Sequence, residues 1–233
     1  MIKIENTEVF GWEAAIRGMR NPMNSWSKSD SGFCNAGSGK DIHWSDCAFE
    51  HECSECSVTD GQYVLGKNDL KLMKKLVAAG TDHSKFMRMI NVTFDITAPL
   101  YFLKESDTYK VGTVRNSCST MHKIAEKEFT LDDFSHENLG ESAIEEFLEP
   151  TIRGLNIARD MYLEKKSEGK ESKAAWWQMI QLLPSSYNQR STMQMNYQVL
   201  RNIYHARKNH KLDEWREFCK WIESLPYSEL ITG

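Results

Sequence analysis

Asn196 and Arg207 stand eleven residues apart near the C-terminal end of the chain. At about 3.6 residues per turn, that interval returns a helix almost to the same face. Leu200 and Ile203 lie between them on that face. An amide and a guanidinium on an otherwise apolar face are costly to bury unless something pairs with them. The partner can be a protein carboxylate or an anionic ligand. A second group with chemistry is the cluster Cys34, Cys47, Cys53 and Cys56, at spacings of 13, 6 and 3. Cys53-x-x-Cys56 has the tight spacing that lets two thiolates meet one zinc ion, with His43 and His51 as alternative nitrogen ligands. Such a zinc would be structural, holding a loop that has no periodicity of its own. The alternative is four reduced thiols in a surface loop. Three disulfides fit poorly in a long chain without an export signal. Cys219 shares an apolar helical face with Trp215, Phe218 and Ile222 and reads as core.

The elements that must position these residues follow from periodicity. Residues 2–9 alternate Ile2 and Ile4 as a first strand. Trp12 to Met19 reads as a short helix, ended before Pro22. Residues 23–63, rich in Ser, Gly, Asp and Cys, read as one long inserted loop. Asn68 or Asp69 caps a helix from Leu70 to Ala79, with Leu70, Met73, Leu76 and Val77 on one face and Gly80 as its stop. Residues 88–97 alternate Ile90, Val92, Phe94 and Ile96 with polar positions, a strand with one apolar face. Ala98-Pro99 opens a helix carrying Leu100, Tyr101 and Leu103. A polar loop spans 116–121. Helices are expected over 142–165, split or kinked at Pro150, and over 173–182, 193–207 and 212–225. The expected fold class is α/β or α+β, a small sheet with many helices, in a single domain over 1–233.

With 40% apolar and 27% charged residues and a formal charge of −4, the 233-residue chain has the balance of an ordinary globular protein. Nothing global points to nucleic acid or an anionic membrane, although a local basic pocket remains compatible with that charge. The N-terminal MIKIENTEVFGWE lacks the basic and apolar regions of a signal peptide. No apolar run approaches a membrane span. A cytoplasmic protein is the expectation.

Several runs resemble the flavin-dependent thymidylate synthases, also called thymidylate synthase-complementing proteins. Gly80-Thr81-Asp82-His83 looks like the family's Gly-His at a helix end. Residues 91–96 are similar to the strand that follows, and Ala98-Pro99 to its junction with a helix. Asn116-Ser117-Cys118-Ser119 resembles the family's Asn-Glu-x-Ser. Leu183-Pro184, Asn196, Leu200, Asn202 and Arg207 fall at the family's C-terminal spacings, and Glu214 and Arg216 match its last pair. The resemblance covers 68–122 and 176–226, with a weaker echo in 1–22. It departs at the Arg-His-Arg signature, which falls on Thr108-Tyr109-Lys110, and at Gln198 and Ile180, where the family carries arginines.

The resemblance implies a compact homotetramer that methylates dUMP, with methylenetetrahydrofolate as carbon donor, reduced FAD as hydride source and NADPH as reductant. It implies flavin contacts from Asn196, Asn202, His83 and Lys110, and nucleotide contacts from Arg207, Ser119 and Asn116. It places Ser119 and Tyr109 nearest the chemistry. Lysine is a point charge and does not replace arginine's two-pronged grip, so the degenerate signature implies weaker anion binding. Two other expectations stand beside an active enzyme: a catalytically degenerate nucleotide- or flavin-binding oligomer of the same fold, and a zinc-stapled interaction protein.

Overall fold

The computed structural model describes residues 2–34 and 63–233. The fold is mixed α/β. A four-stranded sheet has the order β1 (Lys3–Phe10), β4 (Asn91–Pro99), β6 (Asn188–Asn196), β5 (Thr113–Ser117). A two-stranded antiparallel ribbon pairs β2 (Gly32–Phe33) with β3 (Tyr63–Val64). The chain divides into two compact units. Of the described residues, the first holds 2–7, 93–194 and 207–221, and the second holds 8–34, 63–92, 195–206 and 222–233.

In the first unit, β4 runs into α3 (Leu100–Ser106). Phe94 and Ile96 on β4 are buried, while Thr93, Asp95 and Thr97 point to the other side. Phe94 packs on Phe218 and Trp221, and Phe102 of α3 packs on Trp215, all three within α9 (Asp213–Glu223). The unit's second core lies between α6 (Glu149–Ser167) and α7 (Lys173–Leu182) and closes on α4 (Thr120–Lys123). Phe129, Phe134, Leu155, Ala158 and Met179 are its centre. Pro150 sits in the first turn of α6, where its missing N–H costs nothing. Before it come α5 (Glu141–Ala143) and one π-helical turn over Ile144–Leu148. The expected split at Pro150 thus takes the form of a widened turn.

In the second unit, α1 (Trp12–Arg20) packs with α8 (Tyr197–Arg207), whose residues up to 206 belong here, and α2 (Lys67–Ala78) packs with the C-terminal helix. Trp12 meets Tyr197 and Tyr227 edge-on, each at 5.2 Å. The expected cap of α2 is corrected. Gly66 holds the cap position, and the orphan N–H groups of Asn68 and Asp69 donate to the Asp30 carboxylate at 2.8 and 3.0 Å. Asp69 turns inward instead. Tyr197 donates its backbone N–H to Ile90. α10 (Glu229–Thr232) ends the chain. No described helix is long and apolar enough to cross a membrane.

The helix expected over 193–207 begins four residues later. Residues 193–196 continue β6, with Ser191, Met193 and Met195 buried and Thr192 and Gln194 outside that core. β5 replaces the start of the expected polar loop. A short 3-10 turn, Lys85–Arg88, precedes β4.

Candidate functional site

In the first unit a cleft of about 250 Å³ opens where β5 gives way to α4 beside the start of β6. The backbone N–H of Cys118 donates to Arg190 at 2.8 Å, and the Gln189 amide donates to the Cys118 carbonyl at 2.7 Å. These bonds hold the turn that presents Ser119. Ser119 caps α4, its hydroxyl accepting the His122 N–H at 3.2 Å. Lys123, Lys127 and Arg190 line the cleft with Thr97, Ser119 and Asp133. Each cation has a carboxylate neighbour: Glu126 for Lys123, Asp133 for Lys127 and Asp95 for Arg190 at 3.0 Å. The Lys123 pKa is raised by its bond to Glu126, and that of Arg190 by its bond to Asp95. Hydrogen bonds from Thr192, Asn6 and Arg190 hold the Asp95 carboxyl at about 2. A hydroxyl beside three cations is the kind of set that holds a phosphate through charge-assisted hydrogen bonds. Here each cation is exposed and paired with a carboxylate, and Asp132 and Asp133 also line the cleft.

Arg207 is engaged within the same unit. Its Nε donates to the Tyr109 hydroxyl at 2.9 Å, and its Nη1 meets Glu105 at 2.5 Å. The guanidinium lies 5.0 Å from the Trp215 ring centroid and 5.7 Å from that of Tyr109. Glu105 also accepts from the Trp215 indole at 3.1 Å. Burial works against the Arg207 charge, but Tyr109 and Glu105 outweigh it and raise the pKa. Of the two partners left open by the sequence, a protein carboxylate is therefore present. It is Glu105; Glu214 accepts from the Tyr101 hydroxyl instead. Asn116 is exposed on β5, and Lys110 is exposed on the turn before it and does not line the cleft.

In the second unit the turn after α2 meets α8. His83 is exposed there, and the buried Ser84 beside it donates to the side-chain oxygen of Gln198 at 3.4 Å. Gln198 in turn donates its amide to Asn202 at 3.0 Å. A polar row thus runs from the His83 turn to the exposed Asn202. Asn196 is the last residue of β6, and its side-chain oxygen accepts the Val199 N–H at 3.0 Å as a helix cap. Asn196 and Arg207 are not two points on one helical face, which corrects the expectation that rested on an unbroken helix.

The structure gathers His83, Asn196 and Asn202 in one unit and Ser119, Tyr109, Asn116, Lys110 and Arg207 in the other. Lys123, Lys127 and Arg190 were absent from the sequence reading. The i, i+4 lysine pair was visible, but nothing local links it to Arg190, 63 residues on from Lys127. Gln198 sits where the family carries an arginine, and it is buried as an amide relay. Within the second unit, the neutral amide and imidazole groups of Asn196, Asn202 and His83 are of the kind that suits the edge of a flavin ring. The zinc expectation falls mostly outside the described residues, which exclude Cys47, Cys53 and Cys56. Cys34 is a buried free thiol, and no group of three metal-ligating side chains occurs among the described residues.

No protein-family model matches the chain, and no curated protein does. Solved structures do. Thymidylate synthase X from Helicobacter pylori with FAD and dUMP aligns at a TM-score of 0.60 and 15% identity, over 100% of this chain and 97% of that one. A second structure of the flavin-dependent enzyme from Helicobacter pylori, complexed with FAD and dUMP, aligns at 0.61 and 15% identity, over 98% and 97%. At that identity the likeness establishes the fold.

Proposed function

We propose that this protein is a flavin-dependent thymidylate synthase-like enzyme, methylating dUMP with methylenetetrahydrofolate as carbon donor, reduced FAD as hydride source and NADPH as reductant. The observation that carries the reading is the end-to-end likeness to two structures holding FAD and dUMP. Two polar clusters in this chain support it. Ser119, with Lys123, Lys127 and Arg190, receives the nucleotide phosphate, and Asn116 stands on the adjoining strand. His83, Asn196 and Asn202 are the flavin contacts of the second unit, with Gln198 fixing the orientation of Asn202, and Lys110 is the phosphate-facing ammonium of the first. Bound FAD supplies the hydride. The chain's own groups bind and orient, which is the usual division of labour with a cofactor. The Arg207 guanidinium, charged and held by Glu105 and Tyr109, orients the ring of Tyr109 at the substrate. The protein works as an oligomer.

One observation favours a second reading, a nucleotide-binding relative without the chemistry. Glu105 neutralises Arg207, and the nearby lysine at 110 lacks arginine's planar fork. The absorption spectrum of the purified protein, with mass spectrometry of released ligand, separates the two. Flavin absorbance, together with growth of a thymidylate-requiring strain carrying the gene, is expected for the enzyme. A thermal shift with dUMP and none with FAD selects the binding reading, because a ligand of the native state raises stability by mass action. No shift with either rejects both.

A further inference from the structure

A second concave surface of the first unit borders α4 on another face. It is an open groove of about 540 Å³ between α4 and the turn that joins α6 to α7. That volume suits a small molecule. Met121 and His122 of α4 line the groove, whereas Ser119, Thr120 and Lys123 line the cleft. The two share one helical turn and no side chain. Tyr162 and Trp176 form the groove's aromatic part, and both pack on the unit's second core. The Trp176 indole donates its N–H to the Met121 carbonyl at 3.1 Å and meets Trp177 edge-on at 4.8 Å. Its polar atom is therefore satisfied, and a ring held in place loses little freedom when a ligand stacks on it.

The same groove sets Lys170, Lys173 and His122 against one carboxylate, Glu171. Glu171 is engaged, its Oε1 accepting the Lys173 backbone N–H at 2.7 Å. The side chains of Lys173 and His122 have no partner among the described residues. Lys170 pairs with Glu168 at 2.8 Å, but both groups are exposed. Such a pair holds weakly, so a phosphate can recruit the lysine. Lys166 adds an ammonium 5.5 Å from the Tyr162 ring centroid. Rings that can stack, beside ammonium groups that can pair with an anion, select a ligand with both properties. A planar heterocycle bearing a phosphate has them. An apolar molecule leaves the lysines unused, and a bare anion leaves the rings unused.

We propose that this groove binds a mononucleotide, its base on Trp176 and Tyr162 and its phosphate on Lys170 and Lys173, at a site separate from the Ser119 cleft. The assignment is independent of the reaction proposed above.

Isothermal titration calorimetry of the full chain with AMP tests it, a purine offering the larger ring to stack. Binding with a Kd below about 1 mM is expected. Adenosine and inorganic phosphate, each half of the probe, should bind at least about tenfold more weakly. Lys173→Glu and Lys170→Glu should each weaken AMP binding at least about tenfold. Lys173 opens α7, where a negative side chain suits the helix dipole, so Lys173→Glu should melt no lower by circular dichroism. Loss of binding in that variant therefore reports the groove and not misfolding. Ser119→Asp sets its negative charge in the cleft and should keep AMP affinity within about twofold. No binding of AMP, both lysine variants binding as the wild type does, or loss of binding in Ser119→Asp overturns the proposal. Adenylate oligomers binding at least about tenfold tighter than AMP overturn the mononucleotide assignment.

Discussion

Asp69 shows how far a residue's role can lie from its local signal. By sequence it is, with Asn68, one of two candidate caps of a helix. In the fold it is fully buried and binds Arg20, itself 4% exposed, with Nη2 at 2.6 Å and Nε at 2.7 Å. It also accepts from Ser29, Ser31 and the Asp30 N–H. Burial pushes its pKa up, but the hydrogen bonds of Ser31, Ser29 and Arg20 outweigh that and lower it. Asp69→Ala leaves a buried guanidinium without its counter-charge, and urea denaturation should show a loss of about 3–5 kcal/mol. A loss below about 1 kcal/mol would mean water reaches Arg20. Ser119 carries two duties. Ser119→Ala removes the α4 cap at a cost of about 1 kcal/mol and should also shrink the thermal shift with dUMP. Ser119→Asp keeps a capping oxygen but sets a negative charge in the cleft, so it should restore stability and not binding. Recovery of the dUMP shift in Ser119→Asp would remove Ser119 from the phosphate site. The pairs Arg20–Asp69 and Arg207–Glu105 are 49 and 102 residues apart. Separations of that size leave no trace in local spacing.

Elements were legible where one face alone is apolar. β1, α1, β4 and α7 fall within a few residues of where periodicity sets them, because burial on one side imposes a period of 2 or 3.6. β6 was not legible at its C-terminal end. Its Met and Gln residues are good helix formers, and pairing with β4 overrode that propensity. β5 is short, four of its five residues are polar and its one apolar residue, Val114, is exposed, so it reads as loop. Gly11 is legible only in the fold. Its φ is +94°, and a Cβ there would stand 2.1 Å from the Met89 carbonyl oxygen. Gly11→Ala combines left-handed strain with a backbone clash, and should cost about 2–3 kcal/mol by chemical denaturation. Gly154→Ala, in open space within a helix, should instead stabilise the isolated protomer by up to about 1 kcal/mol. Equal effects at the two glycines would contradict the backbone placement.

Acid lability belongs to the whole molecule. Asp69 and Asp95 both have lowered pKa values, Asp95 at about 2. A carboxylate with a folded value below its unfolded one stabilises the fold above the ordinary aspartate value of about 3.9. That contribution is lost as pH falls through the folded value. The urea midpoint should therefore hold from about pH 7 to about pH 5 and fall from about pH 4 toward pH 2. The Asp95→Asn variant should show a shallower fall, and identical slopes would remove Asp95 from the linkage. By itself the sequence determined the α/β class, the existence of most helices and a likeness in spaced residues from Asn196 to Arg207, since those depend on periodicity and order along the chain. Only the tertiary structure decided that Arg207 answers to Glu105, that Asp30 caps α2 and that Ser119 shares a cleft with Arg190. Each joins residues remote in the chain, and the burial that makes such a contact strong exists only once the chain has folded.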